Sequence, residues 1–513
     1  VAAAEEERFS RRKHGKRPVP FSAWEQPVAA ARWCLDRAGL VPEDLDLIGF
    51  SYDPSLVRPA REMGLDDPWD HLRTMYAAQA PALLAEALPG LDPAKVRFVP
   101  HHVAHAASAV LGRKGSVLVC DGRGERASHL SGQNTPGGLQ ILASQVLPHS
   151  LGLMYEDLTE HLGFLRSSDE YKVMALASYG KPRHLDVLRE TVYATDDGGF
   201  VTGPIAWARF APARAAGGEM SAEHADLAAS VQRRLEEVLL AMARWLHERT
   251  GDRRLMIAGG TALNCVANTV LSQRGPFEEV WVQPAAGDAG TALGAAVHLT
   301  RGGPLEFAPD LGRGFTDAEI EAVLRTARLP YERPPDVAET VARTLAGDGV
   351  VAWFQGRAEF GPRALGHRSL LAHPGRRANL ERLNDIKGRE QFRPVAPMVL
   401  AGRAAEIFTR GPLPSPYMLF VHDVAPAWHD RIPAVVHVDG TARVQTVDAA
   451  AEPLVARMLT AFERRTGLPV VVNTSLNTAG HPMVDTPREA LECFGATPID
   501  LLAIGPFVVR RPG

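Results

Sequence analysis

Leu255-Met256-Ile257-Ala258-Gly259-Gly260-Thr261-Ala262-Leu263-Asn264 is the stretch on which the fold class turns. Its apolar run ending in a double glycine reads as a buried strand, and the residues after it as a helix whose N-terminus faces the turn. Strand, glycine turn and helix in that order belong to α/β architecture, where loops at the carboxyl ends of strands carry the site. The same pattern extends outward. Leu45 to Ser51, Val96 to Val99, Ser116 to Cys120 and Val280 to Val282 read as strands, as do Val350 to Phe354 and Pro469 to Val472 further on. Residues 218–248 space Leu227, Val231, Leu235, Leu239, Met242 and Leu246 for one face of an amphipathic surface helix. Gly302-Gly303-Pro304 is the linker candidate, giving lobes at 1–304 and 305–513.

At 513 residues, with 45% hydrophobic and 23% charged residues, the composition excludes global disorder. A net charge of −4 gives no overall electrostatic case for nucleic acid. No apolar run reaches the roughly 18 residues of a membrane span. Cys34, Cys120, Cys265 and Cys493 form no CxxC pair, so neither a zinc knuckle nor a disulfide framework is expected, and a cytoplasmic location is the default. Val1 to Glu7 carries no initiator methionine or signal peptide and reads as the end of a strand already under way. A first strand and turn are therefore expected to precede the numbered chain.

A histidine pair begins the helix after Val96 to Val99. His101 and His105 stand four residues apart, so both imidazoles project from one face. Two further strands each deliver an aspartate beside a glycine turn, Asp121 and Asp288. Two imidazoles and two carboxylates suit Fe²⁺, Zn²⁺ or Mn²⁺. His102 points to another face and is expected to be structural.

Asp121-Gly122-Arg123-Gly124-Glu125 follows a buried strand, and its glycines permit backbone N–H groups to turn toward an anion. Gly259-Gly260 and Gly287-Asp288-Ala289-Gly290 repeat that logic. Three such turns in one lobe point to the duplicated nucleotide-binding architecture of sugar kinases, heat-shock chaperones and actin. No Walker A motif and no GxGxxG follow a strand, so P-loop and Rossmann readings fail.

The C-terminal third concentrates cations. Arg357, Arg363 and Arg368 sit on one glycine- and proline-rich loop, followed by Lys387-Gly388-Arg389, Arg393 and, before Gln445-Thr446, Arg443. Bidentate guanidinium donors and a compact ammonium read as a site for a polyanionic small molecule. Asn473-Thr474-Ser475-Leu476-Asn477 adds amide and hydroxyl groups able to hold a carbamoyl or phosphoryl oxygen.

Taken together, these motifs resemble the O-carbamoyltransferases related to nodulation and antibiotic-tailoring enzymes. The resemblance runs from Glu5-Glu6-Glu7-Arg8-Phe9-Ser10-Arg11 through His101 to Ser108, Asp121 to Glu125, Lys172-Val173-Met174-Ala175-Leu176-Ala177 and Gly361 to Ser369, and ends at Asn473 to Asn477. It implies an actin-like carbamoyl-transfer lobe, similar to the transferase of tRNA threonylcarbamoylation, followed by a YrdC-like lobe that activates carbamoyl phosphate. Carbamoyl phosphate and ATP would react in the second lobe to give carbamoyl-adenylate, pyrophosphate and phosphate. A hydroxyl of a small-molecule acceptor would then attack in the first lobe, releasing AMP.

By the same resemblance, His101, His105, Asp121 and Asp288 would be ligands of Fe²⁺ or another divalent transition metal. Gly122, Gly124, Lys172, Gly259, Gly260 and Asn264 would line the nucleotide pocket. Arg363, Lys387 and Arg443 match positions that bind carbamoyl phosphate and ATP with its Mg²⁺, with Arg389, Arg393, Asn473 and Ser475 as neighbours. Relatives begin earlier, with a strand and a His-Asp-Ala-Ser-type turn whose histidine would serve as base.

Three rivals share parts of this pattern. A tRNA-modifying threonylcarbamoyl enzyme uses the same two lobes, but the acidic charge balance counts against it. A hydrogenase-maturation carbamoyltransferase needs zinc-finger cysteines that this chain lacks. An actin-superfamily kinase or nucleotide-binding scaffold leaves the arginine-rich site without a role. Acceptor contacts are expected at Pro54 to Trp69 and at Met154 to Ala216, where Tyr155, His161, Phe164, Tyr171 and Trp207 stand. An antibiotic, polyketide or sugar is the expected acceptor class, with no nucleic acid and no membrane partner.

Overall fold

The computed structural model describes residues 1–15, 24–67, 69–300 and 304–511. The chain divides into two compact units, one formed by Lys16–Phe307 and the other by Val1–Gly15 with Ala308–Gly513. Gly302 and Gly303 of the expected linker lie outside the described residues.

The first fifteen residues thus depart from the expected division at 304. Their hydrogen bonds give the reason. Arg8, buried to 3% exposure, donates to the Gly361 carbonyl, while Glu5 accepts from the Gly361 N–H. Arg11 donates to the carbonyls of Pro482 and Met483. Val1 to Glu7 is also not a strand. The segment reaches a one-turn helix at Glu7–Ser10, and the Ala3 N–H donates to the Leu311 carbonyl.

In the unit Lys16–Phe307, a five-stranded sheet runs in the order Gly138–Val146, Ala127–Thr135, Gly115–Cys120, Arg254–Ala258, Glu279–Val282. The last three are parallel to one another, and the first two add antiparallel. Ile48–Phe50 pairs in parallel with Val96–Phe98 in a separate small ladder. The long helix Ala222–Thr250 buries Leu227, Val231, Leu235, Leu239, Met242 and Leu246, as its spacing predicts.

One connection differs from the sequence reading. No helix follows Asp121 to Glu125. The Gly124 N–H donates to the Ala127 carbonyl and turns the chain into an antiparallel hairpin. Pro136-Gly137-Gly138 marks only the next turn, between Ala127–Thr135 and Gly138–Val146.

The C-terminal unit is built on a mixed seven-stranded sheet. Its order is Gln445–Val447, Ala396–Leu400, Val470–Ser475, Arg368–Ala372, Val351–Phe354, Leu501–Ile504, Phe507–Arg510. Trp353, Phe354 and Phe462 are fully buried in the core around it. Both units are α/β, as expected. No helix among the described residues is long and apolar enough to cross a membrane.

Candidate active site

Three parallel strands end at one place in the unit Lys16–Phe307. Cys120 hands over to Asp121, Ala258 to Gly259-Gly260, and Val282 leads through a short loop to Asp288. The helix His101–Val110 begins beside them, immediately after Val96–Phe98 and the residues Val99 and Pro100. Gly294, in the helix Ala289–Thr300, makes this convergence possible. A β-carbon there would lie 1.8 Å from the Ala104 carbonyl oxygen, so only glycine lets the helix after Asp288 lie against the histidine helix.

Donor atoms of His101, His105, Asp121 and Asp288 lie within 4.8 Å of one another. His101 Nε2 is 3.1 Å from Asp121 Oδ2 and 3.6 Å from Asp288 Oδ1. His105 Nε2 is 3.7 Å and 3.6 Å from the same two oxygens. His101 Nδ1 lies 3.1 Å from the Ser51 carbonyl, which can only accept, so Nδ1 carries a proton and Nε2 is the nitrogen turned to the cluster. Asp121 Oδ1 accepts from the Gly260 N–H at 2.9 Å, leaving Oδ2 toward the histidines.

His105 is fully buried with no hydrogen-bond partner on either ring nitrogen. A buried polar atom without a partner is costly, and here it faces two carboxylates and a second imidazole, a donor set suited to a borderline divalent cation. The residues therefore fit a transition metal. The electrostatics agree. Burial works against charge on His101, yet Asp121 and Asp288 outweigh it and raise its pKa well above the usual imidazole range. The Asp288 side chain is 81% exposed, so solvent screens its share and Asp121 dominates. Burial, and then His101, push His102 down to about 3, which keeps it neutral behind the cluster.

The glycines beside the cluster spend their N–H groups on the protein. Gly124 donates to Ala127, Gly259 to the Ala286 carbonyl, and Gly260 to Asp121. Their part is close approach: a β-carbon on Gly259 would meet the Cys120 carbonyl oxygen at 2.2 Å, and one on Gly124 would crowd His101. One on Gly122 would lie 3.0 Å from Glu156 Oε1. Asn264 is turned inward, its amide exchanging hydrogen bonds with Gln232, which in turn accepts from the Tyr155 hydroxyl. Lys172 pairs with Asp169 at 3.0 Å and lies over the Phe164 ring.

In the C-terminal unit, Lys387 is buried to 4% exposure. Its ammonium donates to the Ser475 carbonyl and hydroxyl and to the Asn477 side-chain oxygen. Burial, and then Arg389 and Arg393, hold its pKa well below the ordinary lysine value. Arg389 donates to Asn384 and Arg393 to Glu390.

Asn473 is a staple here. Its amide donates to the Ala364 carbonyl and to Gln445 Oε1, while Gln445 donates to the Leu365 carbonyl. The loop carrying Arg363 is thereby tied to the strand that begins two residues after Arg443. Of the three arginines on the loop, Arg357 and Arg368 point into the protein. Arg357 donates to the carbonyls of Leu311 and Gly312. Arg368 donates to those of Gln355, Gly356, His367 and Arg313 and stacks 3.7 Å over Phe354.

Nothing in the sequence singles out Glu359. Fully buried, its Oε1 accepts from the N–H groups of Leu365, His367 and Arg368 and so closes the loop.

Residues 1–297 match the carbamoyltransferase N-terminus and residues 342–511 the carbamoyltransferase C-terminus. The chain belongs to the carbamoyltransferase family and is a carbamoyltransferase, acting between a carbamoyl donor and an acceptor. It is 37% identical to nodulation protein NolNO of Sinorhizobium fredii, over 100% of this chain and 77% of that one. Nodulation protein NolO of Bradyrhizobium diazoefficiens is 39% identical over 80% of this chain and 78% of its own. An uncharacterized protein of Synechocystis sp. is 36% identical over 100% of this chain and 93% of its own. A crystal structure of T. kodakarensis HypF matches 53% of this chain and 42% of its own at 16% identity, with a TM-score of 0.28, a likeness too slight to bear on the fold.

Proposed function

We propose that this carbamoyltransferase is ATP-dependent and O-directed, with an actin-like transfer unit and a YrdC-like activating unit. The observation that carries the reading is Lys387. A buried lysine whose hydrogen-bond acceptors are all uncharged, its pKa depressed by burial and then by Arg389 and Arg393, would carry its charge most readily beside a bound anion.

In the activating step, carbamoyl phosphate, ATP and water give carbamoyl-adenylate, pyrophosphate and phosphate. Arg363, Lys387 and Arg443 offset the charge of the phosphates as the carbamoyl group moves between them, and Mg²⁺ accompanies the ATP. In the transfer step, the oxygen of an acceptor hydroxyl attacks the carbamoyl carbon. The bond to the AMP oxygen breaks, and AMP and one proton leave. Fe²⁺, or another divalent transition metal held by His101, His105, Asp121 and Asp288, would supply Lewis acidity toward the reacting carbonyl. Ser51 fixes the His101 tautomer and Gly260 fixes Asp121, so these side chains need no rearrangement when the adenylate arrives. A hydroxyl of an antibiotic, polyketide or sugar is the acceptor class we favour.

The test uses the purified chain with carbamoyl phosphate, ATP, Fe²⁺ and Mg²⁺ and no acceptor. Pyrophosphate release and a carbamoyl-adenylate mass, both lost in Arg363→Ala, are the expected result. ATP binding without either product refutes the activation chemistry.

A further inference from the structure

Glu125 ends the segment Asp121 to Glu125, which also supplies a candidate metal ligand, and it is buried to 6% exposure. Its Oε1 accepts two backbone N–H bonds, from His101 at 2.8 Å and from Asp53 at 2.8 Å. The first of these has a sequence cause. The histidine helix is preceded by Pro100, whose side chain cannot accept a hydrogen bond, so the opening N–H of the helix needs an acceptor from elsewhere in the chain. A carboxylate is also the charge that a helix N-terminus favours.

The second bond reaches the rest of the cluster. Asp53 lies two residues beyond Ser51, whose carbonyl accepts from His101 Nδ1. The Ser51 hydroxyl is 2.7 Å from the Thr291 hydroxyl, and Thr291 donates its own proton to the Asp288 carbonyl at 2.7 Å. Ser51 must therefore be the donor to Thr291, and the chain of bonds runs from Glu125 through residues 51–53 to the turn that presents Asp288. One carboxylate oxygen thus sets where His101 begins and where its tautomer-fixing carbonyl stands, and connects both to the fourth ligand.

We propose that Glu125 is a positioning residue for the metal cluster, holding His101 Nε2 and the Asp288 turn at the separation a single cation needs. The inference rests on the metal reading of the cluster given above.

Full-length variants are titrated calorimetrically with Co²⁺, and the visible absorption of bound Co²⁺ reports the ligand geometry. Wild type binds one Co²⁺ and His105→Ala does not. Glu125→Ala weakens binding by roughly 10- to 100-fold and shifts the visible band. Glu125→Gln, which keeps an acceptor oxygen at the same reach, stays within about threefold of wild type. Glu125→Asp, which keeps the charge but not the reach, falls with the alanine variant and decides the matter if Glu125→Ala does not fold. Wild-type affinity and band in both Glu125→Ala and Glu125→Asp overturn the assignment while leaving the metal site standing. Failure of the wild type to bind Co²⁺ overturns the metal site, and the assignment with it.

Discussion

Removing the Glu359 carboxylate should loosen the loop that carries Arg363 while leaving the C-terminal unit folded. Oε1 receives the N–H groups of Leu365, His367 and Arg368 at 2.6, 3.0 and 3.2 Å. Burial opposes its ionisation, but His367 and the Leu365 N–H outweigh burial and hold its pKa below the ordinary glutamate value. Hydrogen bonds to a charged acceptor are worth about 1.5 kcal/mol each at the low end, so Glu359→Ala forfeits about 4.5 kcal/mol. Part of that is returned, since a buried carboxylate no longer has to be desolvated. A net loss of about 2–3 kcal/mol corresponds to roughly 30- to 150-fold faster opening of the loop.

Hydrogen exchange followed by mass spectrometry on the peptide spanning residues 361–369 reads that number directly. Exchange of the Leu365, His367 and Arg368 amides should accelerate by that factor in Glu359→Ala. In Glu359→Gln, which keeps a neutral acceptor in place, it should accelerate by no more than about tenfold. Peptides from the strand Leu501–Ile504 should not change. Exchange in Glu359→Ala within threefold of wild type refutes the reasoning, as does Glu359→Gln behaving like the alanine variant.

Lys387→Met should stabilise the protein at pH 7, by an amount that shrinks toward pH 10. The folded state holds the lysine pKa well below its unfolded value of about 10.4, so the unfolded chain binds more protons across that interval, and the penalty on folding fades as pH rises through it. Thermal midpoints of both proteins at the two pH values check the sign, and a gain that grows with pH contradicts it. Gly294→Ala should cost about 1–3 kcal/mol and weaken Co²⁺ binding, because its β-carbon meets the Ala104 carbonyl oxygen. Gly402→Ala, with nothing within 4 Å, is the matched control, and equal melting and Co²⁺ affinity in the two variants would count against the close-approach argument.

The strand ends around the histidine–aspartate cluster were legible because chemistry and pattern coincide there. Asp121 and Asp288 stand where buried apolar runs stop, and His101 and His105 share a helical face, so period and position alone bring four donors together. The hairpin after Asp121 was not read, since the turn at Gly124 is decided by a hydrogen bond to Ala127 rather than by residue type. The arginines were legible as a group and illegible one by one. The guanidinium of Arg368, at the start of the strand Arg368–Ala372, is consumed by four backbone carbonyls, and composition cannot tell such a structural arginine from one that faces a ligand. The fate of Val1–Gly15 was hidden for a related reason. It is fixed by contacts such as Arg8 to Gly361, more than 350 residues apart in sequence.

The burial of Lys387 gains its meaning by contrast with the arginines of the same unit. Arginine outnumbers lysine 49 to 7, and many of the arginines are paired with acid. Arg403 binds Glu406 and Glu463, Arg464 and Arg465 bind Glu339, and Arg325 binds Glu321. Such exposed pairs cost little and are worth little. Lys387 breaks the pattern, since it is buried and its acceptors at Ser475 and Asn477 carry no charge. The cluster of the other unit is its electrical opposite: two carboxylates and two imidazoles, one of them with both ring nitrogens buried and without a hydrogen-bond partner. A solvated basic face would show neither feature. Burial sharpens both: an anion would suit Lys387, and a cation would suit the carboxylates and the buried nitrogens of His105. The proposed chemistry, activation of the donor through phosphates and then polarisation of the resulting carbonyl, would use both.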